Sequence, residues 1–167
     1  TVDNQEKLEA LVKAINGAEY LSFDTETSST DPITADLVGI SLSVDEKTGY
    51  YIPVDHHGVE DQLPLAMVVD ALTPAFKDET IKKVGHNLKY DYIMLRRNGL
   101  DTQPLSFDTM IAQFLVDPTS RRLGLKAMSE NYLGIEMTKI DNLIGSGKNQ
   151  ISMADVAVEK AAPYAAA

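Results

Sequence analysis

The 167-residue chain contains no cysteine. That excludes a disulfide framework and any thiolate metal site, and it suits a reducing compartment such as the cytoplasm. No apolar run approaches the roughly 18 residues that suggest a membrane span, and no signal peptide opens the chain. Cations are scarce, with 15 Lys and Arg against 25 Asp and Glu, a formal charge of −10. A surface built to hold phosphates is usually basic. Either the partner is not a polyanion, or a polyanion is held locally by metal ions and a few cations. Acids that bind divalent cations add formal negative charge yet present a cationic site once loaded.

What is present fits one globular domain over residues 1–167. A chain of this length buries roughly 70% of its unfolded surface, and 44% of its residues are hydrophobic. Residues 4–15 have helical spacing, with Asp3 as N-cap and Asn16-Gly17 as stop. Strands are expected at 20–25, 37–44 and 50–54, with a polar loop at 27–36 and a turn at 45–49. A helix over 62–77, a strand over 81–85 and a helix over 88–97 follow. From 108 onward the pattern is mostly helical. Three neighbouring strands, then a helix, a strand and more helices, predict an α/β fold, a mixed sheet flanked by helices.

The stretch Phe23-Asp24-Thr25-Glu26-Thr27 carries the most chemistry. Residues i and i+2 of a strand share a face about 7 Å apart, so both carboxylates project together from the strand end. Close carboxylates repel, and one tends to keep its proton. A hard divalent cation such as Mg²⁺ or Mn²⁺ resolves that conflict. Taken alone, the pair fits two solvated acids where a strand becomes a loop slightly better than a metal site.

Gly85-His86-Asn87-Leu88-Lys89-Tyr90-Asp91 ends a strand and opens a helix. Asp91 falls in the first helical turn, where a carboxylate is favoured. It is either a helix-start acid or a third carboxylate facing the first two. Asn87 alone reads as an N-cap and His86 as a loop or core residue. The His56-His57 pair reads as surface. Asp108 reads as the N-cap of a further helix. Tyr164 follows Pro163, which is expected to lead a helical turn; by itself it reads as a packing aromatic.

In order, Asp-x-Glu, then Asn-x-x-x-Asp on a strand-to-helix turn, then a C-terminal Tyr, resemble one family. It is the proofreading 3′–5′ exonuclease domain of bacterial family A DNA polymerases, the tyrosine branch of the four-acid exonuclease superfamily. The likeness runs on through Leu37-Val38-Gly39-Ile40-Ser41, Tyr51-Ile52-Pro53-Val54, Phe107-Asp108-Thr109-Met110 and Gly145 to Gln150.

The resemblance implies a ribonuclease-H-like fold and hydrolysis of terminal nucleotides from DNA 3′ ends. It implies two divalent cations, Mg²⁺ or else Mn²⁺ or Zn²⁺, on Asp24, Glu26 and Asp91, with Tyr164 positioning the attacking water. Thr27, Asn87 and Tyr90 match residues near the terminal nucleotides. His86 stands where some relatives carry glutamine. Thr30 stands where the family often has a leucine wedge, and Arg122 is a candidate phosphate contact. Lys148, in a glycine-flanked loop, could touch the strand backbone.

The family's fourth acid would fall at position 168, one beyond Ala167. The termini, Thr1 and Pro163-Tyr164-Ala165-Ala166-Ala167, suggest a piece of a longer polypeptide. The resemblance thus implies an attached polymerase domain, a single-stranded DNA 3′ end as partner, and a monomer in the bacterial cytoplasm near the nucleoid. Two other readings share these residues: a catalytically lapsed structural domain, and an RNA-trimming 3′–5′ exonuclease.

Overall fold

The computed structural model describes residues 1–167. Strands β1 (Tyr20–Thr27), β2 (Leu37–Ser43) and β3 (Gly49–Pro53) form an antiparallel meander. Strands β4 (Lys82–Gly85) and β5 (Leu105–Asp108) extend the sheet beside β1 in parallel. The order is β3-β2-β1-β4-β5. The helices are α1 (Gln5–Asn16), α2 (Leu65–Lys77), α3 (Lys89–Arg97), α4 (Thr109–Val116), α5 (Leu125–Leu133), α6 (Asp141–Ile144) and α7 (Val158–Ala165). The predicted mixed α/β sheet is what forms.

Strand alternation divides the side chains between two faces. On one, Leu21, Phe23, Ile40, Leu42 and Ile52 pack with Leu11 and Ile15 of α1, Leu72 and Phe76 of α2, and Met94 and Leu95 of α3. Phe23 and Phe76 meet edge to face, with centroids 5.6 Å apart, a favoured aromatic geometry. On the other face Tyr51, together with Val38, which the register shift between β1 and β2 turns to this side, packs with Met153, Ala154, Val156 and the Ala161-Ala162 pair of α7. The Tyr51 ring lies over Gly39, where a Cβ would come within 2.2 Å of its hydroxyl. Only glycine admits the ring there.

Several expectations need correction. Asn4, not Asp3, caps α1, its side chain accepting from the Lys7 N–H. Helix α2 starts at Leu65 because Gln62 is committed to the preceding loop, bonding the His56 N–H and carbonyl at 2.9 Å each. His56 is buried rather than surface. Its Nδ1–H donates to the Val156 carbonyl at 2.8 Å, so Nε2 accepts from the Tyr51 hydroxyl at 2.7 Å. His57 alone is exposed. Pro163 lies inside α7 rather than leading it, which puts Tyr164 in the last turn. Strand β5 is an element that periodicity did not show. It has four residues, and both of its apolar side chains, Leu105 and Phe107, are exposed.

Candidate active site

The site is built where β1 and β4 part. Strand β1 pairs with β4 only over Tyr20 to Ser22, and past Gly85 the chain turns into α3. Gly85 permits that turn, since a Cβ would sit 2.4 Å from Leu88 and 2.9 Å from the Phe23 carbonyl. The next β1 amide facing that side has lost its strand partner, and Asp91 takes the vacancy. Its Oδ1 accepts from the Thr25 N–H at 2.8 Å and from the Thr25 hydroxyl at 2.6 Å. A strand thereby hands its unpaired donor to the first turn of a helix, and a buried carboxylate lands beside Asp24 and Glu26. The carboxyl ends of parallel strands at a topological switch are where α/β sheets place their sites.

Asp108 holds the turn. Its carboxylate accepts from the N–H groups of Asn87 at 3.0 Å and Leu88 at 2.9 Å, and it caps α4 through Met110 and Ile111. Burial opposes its charge, but the four backbone donors outweigh burial and its pKa is lowered. Asn87 is driven to φ 59°, the left-handed region. It does not cap α3 as expected: its side-chain Oδ1 is buried without a partner, as is Nε2 of His86. His86 Nδ1 lies 2.8 Å from the Thr109 hydroxyl, which itself donates to the Gly85 carbonyl. The hydroxyl must then accept from Nδ1–H, leaving Nε2 as an acceptor. Burial lowers the His86 pKa despite nearby Asp108 and Asp24.

Asp24, Glu26, His86 and Tyr164 line one groove of about 590 Å³, and Asp91 is buried against Asp24 behind that lining. Asp24 is exposed to the groove, although many neighbouring protein atoms surround its carboxylate. Burial therefore raises its pKa, against hydrogen bonds from Asp91 and the Thr25 backbone and the field of His86. Burial, then the charge of Asp24, raises Asp91. Glu26, buried and facing both Asp24 and Asp91, is pushed up to about 8. Burial and the Glu26 and Asp24 charges push the Tyr164 phenol up to about 12.

As the side chains stand, no three acids or histidines converge closely enough to grip one metal ion. The donor set nevertheless suits one. Its atoms are hard carboxylate oxygens, their charge is disfavoured by burial and repulsion, and Lys126 alone offsets Glu26 as a cation. Carboxylate sets of this kind select Mg²⁺, Mn²⁺ or Ca²⁺.

The other expected residues divide. The Tyr90 hydroxyl bonds the Thr27 hydroxyl and the Ser29 carbonyl, each at 2.6 Å, so the two residues tie the 28–36 loop to α3. Thr30 is exposed on that loop and does not line the groove. Arg122 is exposed over a separate recess with Glu130 and Asn131, away from the acids. Lys148 is exposed in the 147–149 turn. Lys126, unmarked by any motif, does reach the site. It lies in the first turn of α5 and bonds the Thr138 carbonyl, with Nζ 3.3 Å from the Tyr164 hydroxyl.

A mixed sheet in this order, flanked by helices, is the ribonuclease-H-like α/β fold. The chain belongs to the 3′–5′ exonuclease family found in family A DNA polymerases, which it matches over residues 1–167. It is 45% identical to DNA polymerase I of Chloroflexus aurantiacus over 159 residues, 94% of this chain and 16% of that protein. It is 34% identical to DNA polymerase I of Pseudomonas aeruginosa, over 98% of this chain and 18% of that protein. The chain thus spans less than a fifth of each of these polymerases. Among solved structures, the Aedes aegypti Nibbler EXO domain shares the fold at TM-score 0.72 and 16% identity, covering 99% of this chain and 79% of that one. Escherichia coli RNase D does so at TM-score 0.69 and 22% identity, over 99% of this chain and 40% of that one. Exonucleases of this family generally depend on divalent metal ions.

Proposed function

We propose that the chain removes terminal nucleotides from single-stranded DNA 3′ ends, using Asp24, Glu26 and Asp91 to hold two Mg²⁺ or Mn²⁺ ions and Tyr164 to orient water. The observation that carries this reading is that Asp24 and Glu26 share one groove with Tyr164, with Asp91 buried against Asp24, and all three carboxylates have raised pKa. Bound cations would offset the phosphate charge and make water more acidic. The protein supplies the rest. Thr25 fixes Asp91 by two hydrogen bonds. His86 lines the same groove, and its Nε2 is an acceptor with no protein partner. The Tyr164 phenol keeps its proton at neutral pH and is a hydrogen-bond donor to incoming water. Water oxygen bonds to phosphorus, the bond from phosphorus to the bridging O3′ breaks, and a nucleoside 5′-monophosphate leaves. One proton of the attacking water is given up as its oxygen bonds to phosphorus, and the released O3′ takes up a proton in its place to become the new 3′ hydroxyl.

The relatives that share this sequence are DNA polymerases. We therefore read the substrate as DNA and a polymerase domain as the natural neighbour. With a charge of −10, the domain has little long-range attraction for nucleic acid, and delivery by such a neighbour answers that. A second reading, a domain kept for structure alone, is favoured by one observation: the acids do not converge as a ready-made ligand set.

Digestion of 5′-labelled single-stranded DNA and RNA, with Mg²⁺ or Mn²⁺, separates the two. Three proteins are compared: the chain, the chain with an aspartate appended after Ala167, and the appended form with Asp24→Ala. Stepwise shortening of DNA by the appended form, lost with Asp24→Ala, supports the exonuclease and the fourth acid together. Faster loss of RNA points to an RNA-trimming enzyme. No shortening by any form supports the structural role.

A further inference from the structure

Lys126 is a cation in a place that opposes it. It lies in the first turn of α5, where the helix dipole favours negative charge. It is partly buried, and desolvation lowers its pKa although Glu26 and Asp141 pull the other way. Its ammonium group is nonetheless pinned by three contacts: the Thr138 carbonyl, the Tyr164 hydroxyl at 3.3 Å, and the Tyr164 ring, whose centroid is 4.7 Å away. Two of the three are with one side chain. No ion pair explains its position, since the three ion pairs of the chain lie elsewhere. A residue that breaks a local rule at a site is expected to have a role there.

We propose that Lys126 is a positioning residue for Tyr164: its ammonium donates to the phenol oxygen and clamps the ring, so that the phenol O–H points into the groove toward Glu26 and the reacting phosphate. The inference rests on the exonuclease reading for its consequence, but not for the contact itself. A lone phenol oxygen can accept or donate in any direction about its C–O bond. With Lys126 donating to a lone pair, the hydroxyl proton is directed elsewhere, and a charged donor also polarises the O–H. The clamp spans α5 and the last turn of α7, which the chain joins through α6, loops and the 147–149 and 153–155 turns. The lysine also places positive charge beside Glu26, which limits the repulsion an incoming phosphate would meet.

The test has one arm that does not need activity. In ¹H–¹³C spectra of the chain, the Lys126 ε-methylene is expected upfield, shifted by the Tyr164 ring current, and returns to a random-coil position in Tyr164→Leu. Absence of the shift overturns the clamp whether or not the chain cleaves DNA. The second arm is kinetic, on single-stranded DNA with the aspartate-appended form. Lys126→Met is expected to lower kcat about tenfold, the worth of a hydrogen bond to a charged group, with KM within about twofold. Lys126→Arg should recover much of the loss. In a Tyr164→Phe background, Lys126→Met should change kcat less than twofold, because the bond it serves is already gone. An undiminished loss there, with raised KM, would mean that Lys126 binds phosphate directly and would overturn the positioning role. A protein that cleaves nothing refutes the exonuclease reading and leaves the ring-current arm to decide Lys126.

Discussion

Asp91 and Thr25 are joined twice, through the Thr25 N–H and the Thr25 hydroxyl, both to the same carboxylate oxygen. Residues 66 positions apart are thereby locked at the bottom of the site. The second carboxylate oxygen is left for Asp24 and any cation. Both residues are buried, Thr25 at 8% and Asp91 at 2% exposure, so the contact is shielded from competing water.

Thr25→Val keeps the shape and removes the hydroxyl. The backbone bond stays, and the expected destabilisation is about 1–2 kcal/mol, the range for one buried hydrogen bond. Urea unfolding checks this. Retention of full stability would mean that the hydroxyl contributes nothing to holding Asp91.

Glu26 makes stability depend on pH. Its folded pKa is raised from 4.5 to about 8, so the folded state binds its proton more tightly than the unfolded state. Below pH 4.5 both states are protonated and the contribution is constant. As pH rises from about 4.5 to 8 the unfolded state ionises first and stability falls. Thermal unfolding in EDTA should give a lower Tm at pH 8 than at pH 5, and Glu26→Gln should flatten the difference. Adding Mn²⁺ should raise Tm at pH 8 and do little at pH 5, because only ionised carboxylates bind it. An equal slope in Glu26→Gln would assign the effect to general charge repulsion instead.

Asp24→Asn separates function from stability. The charge of Asp24 raises both Glu26 and Asp91, so removing it relieves repulsion. The variant should lose DNA hydrolysis and metal-induced stabilisation, yet unfold about 3 °C higher in EDTA at pH 8, the shift expected for about 1 kcal/mol in a chain of this size. A lower Tm would show that Asp24 is structural.

Asp108→Ala tests the support of the turn. Four backbone donors lose their acceptor, two at the 86–88 turn and two at the start of α4. A cost of about 2 kcal/mol is expected, the upper range for an N-cap. Because the same turn delivers Asp91, hydrolysis should fall more than tenfold even where the variant remains folded. Unchanged activity in a folded variant would show that Thr25 alone suffices to hold Asp91.

The sequence made local matters legible. Strict alternation in β1 put Asp24 and Glu26 on one face, and the spacing from Asn87 to Asp91 matched a turn into a helix. Motif order then joined Tyr164 to them. Errors arose where one local signal had a rival nearby. Asp3 and Asn4 are adjacent cap residues, and only the geometry chooses Asn4. Pro163 resembles a helix opener but sits inside α7. His56 looks like half of a surface pair until Tyr51 and the Val156 carbonyl close over it.

By itself the sequence determined the fold class through its periodicities, while the family, and through it the candidate acids, came from the resemblance of its ordered motifs to a known family. Only the tertiary structure decided which cations matter. Arg122 and Lys126 lie four positions apart, and the resemblance singled out only Arg122. One faces a separate recess while the other meets Tyr164, 38 residues away. Such long-range contacts are set by how α5 and α7 pack beyond the sheet, and no window of sequence contains that information.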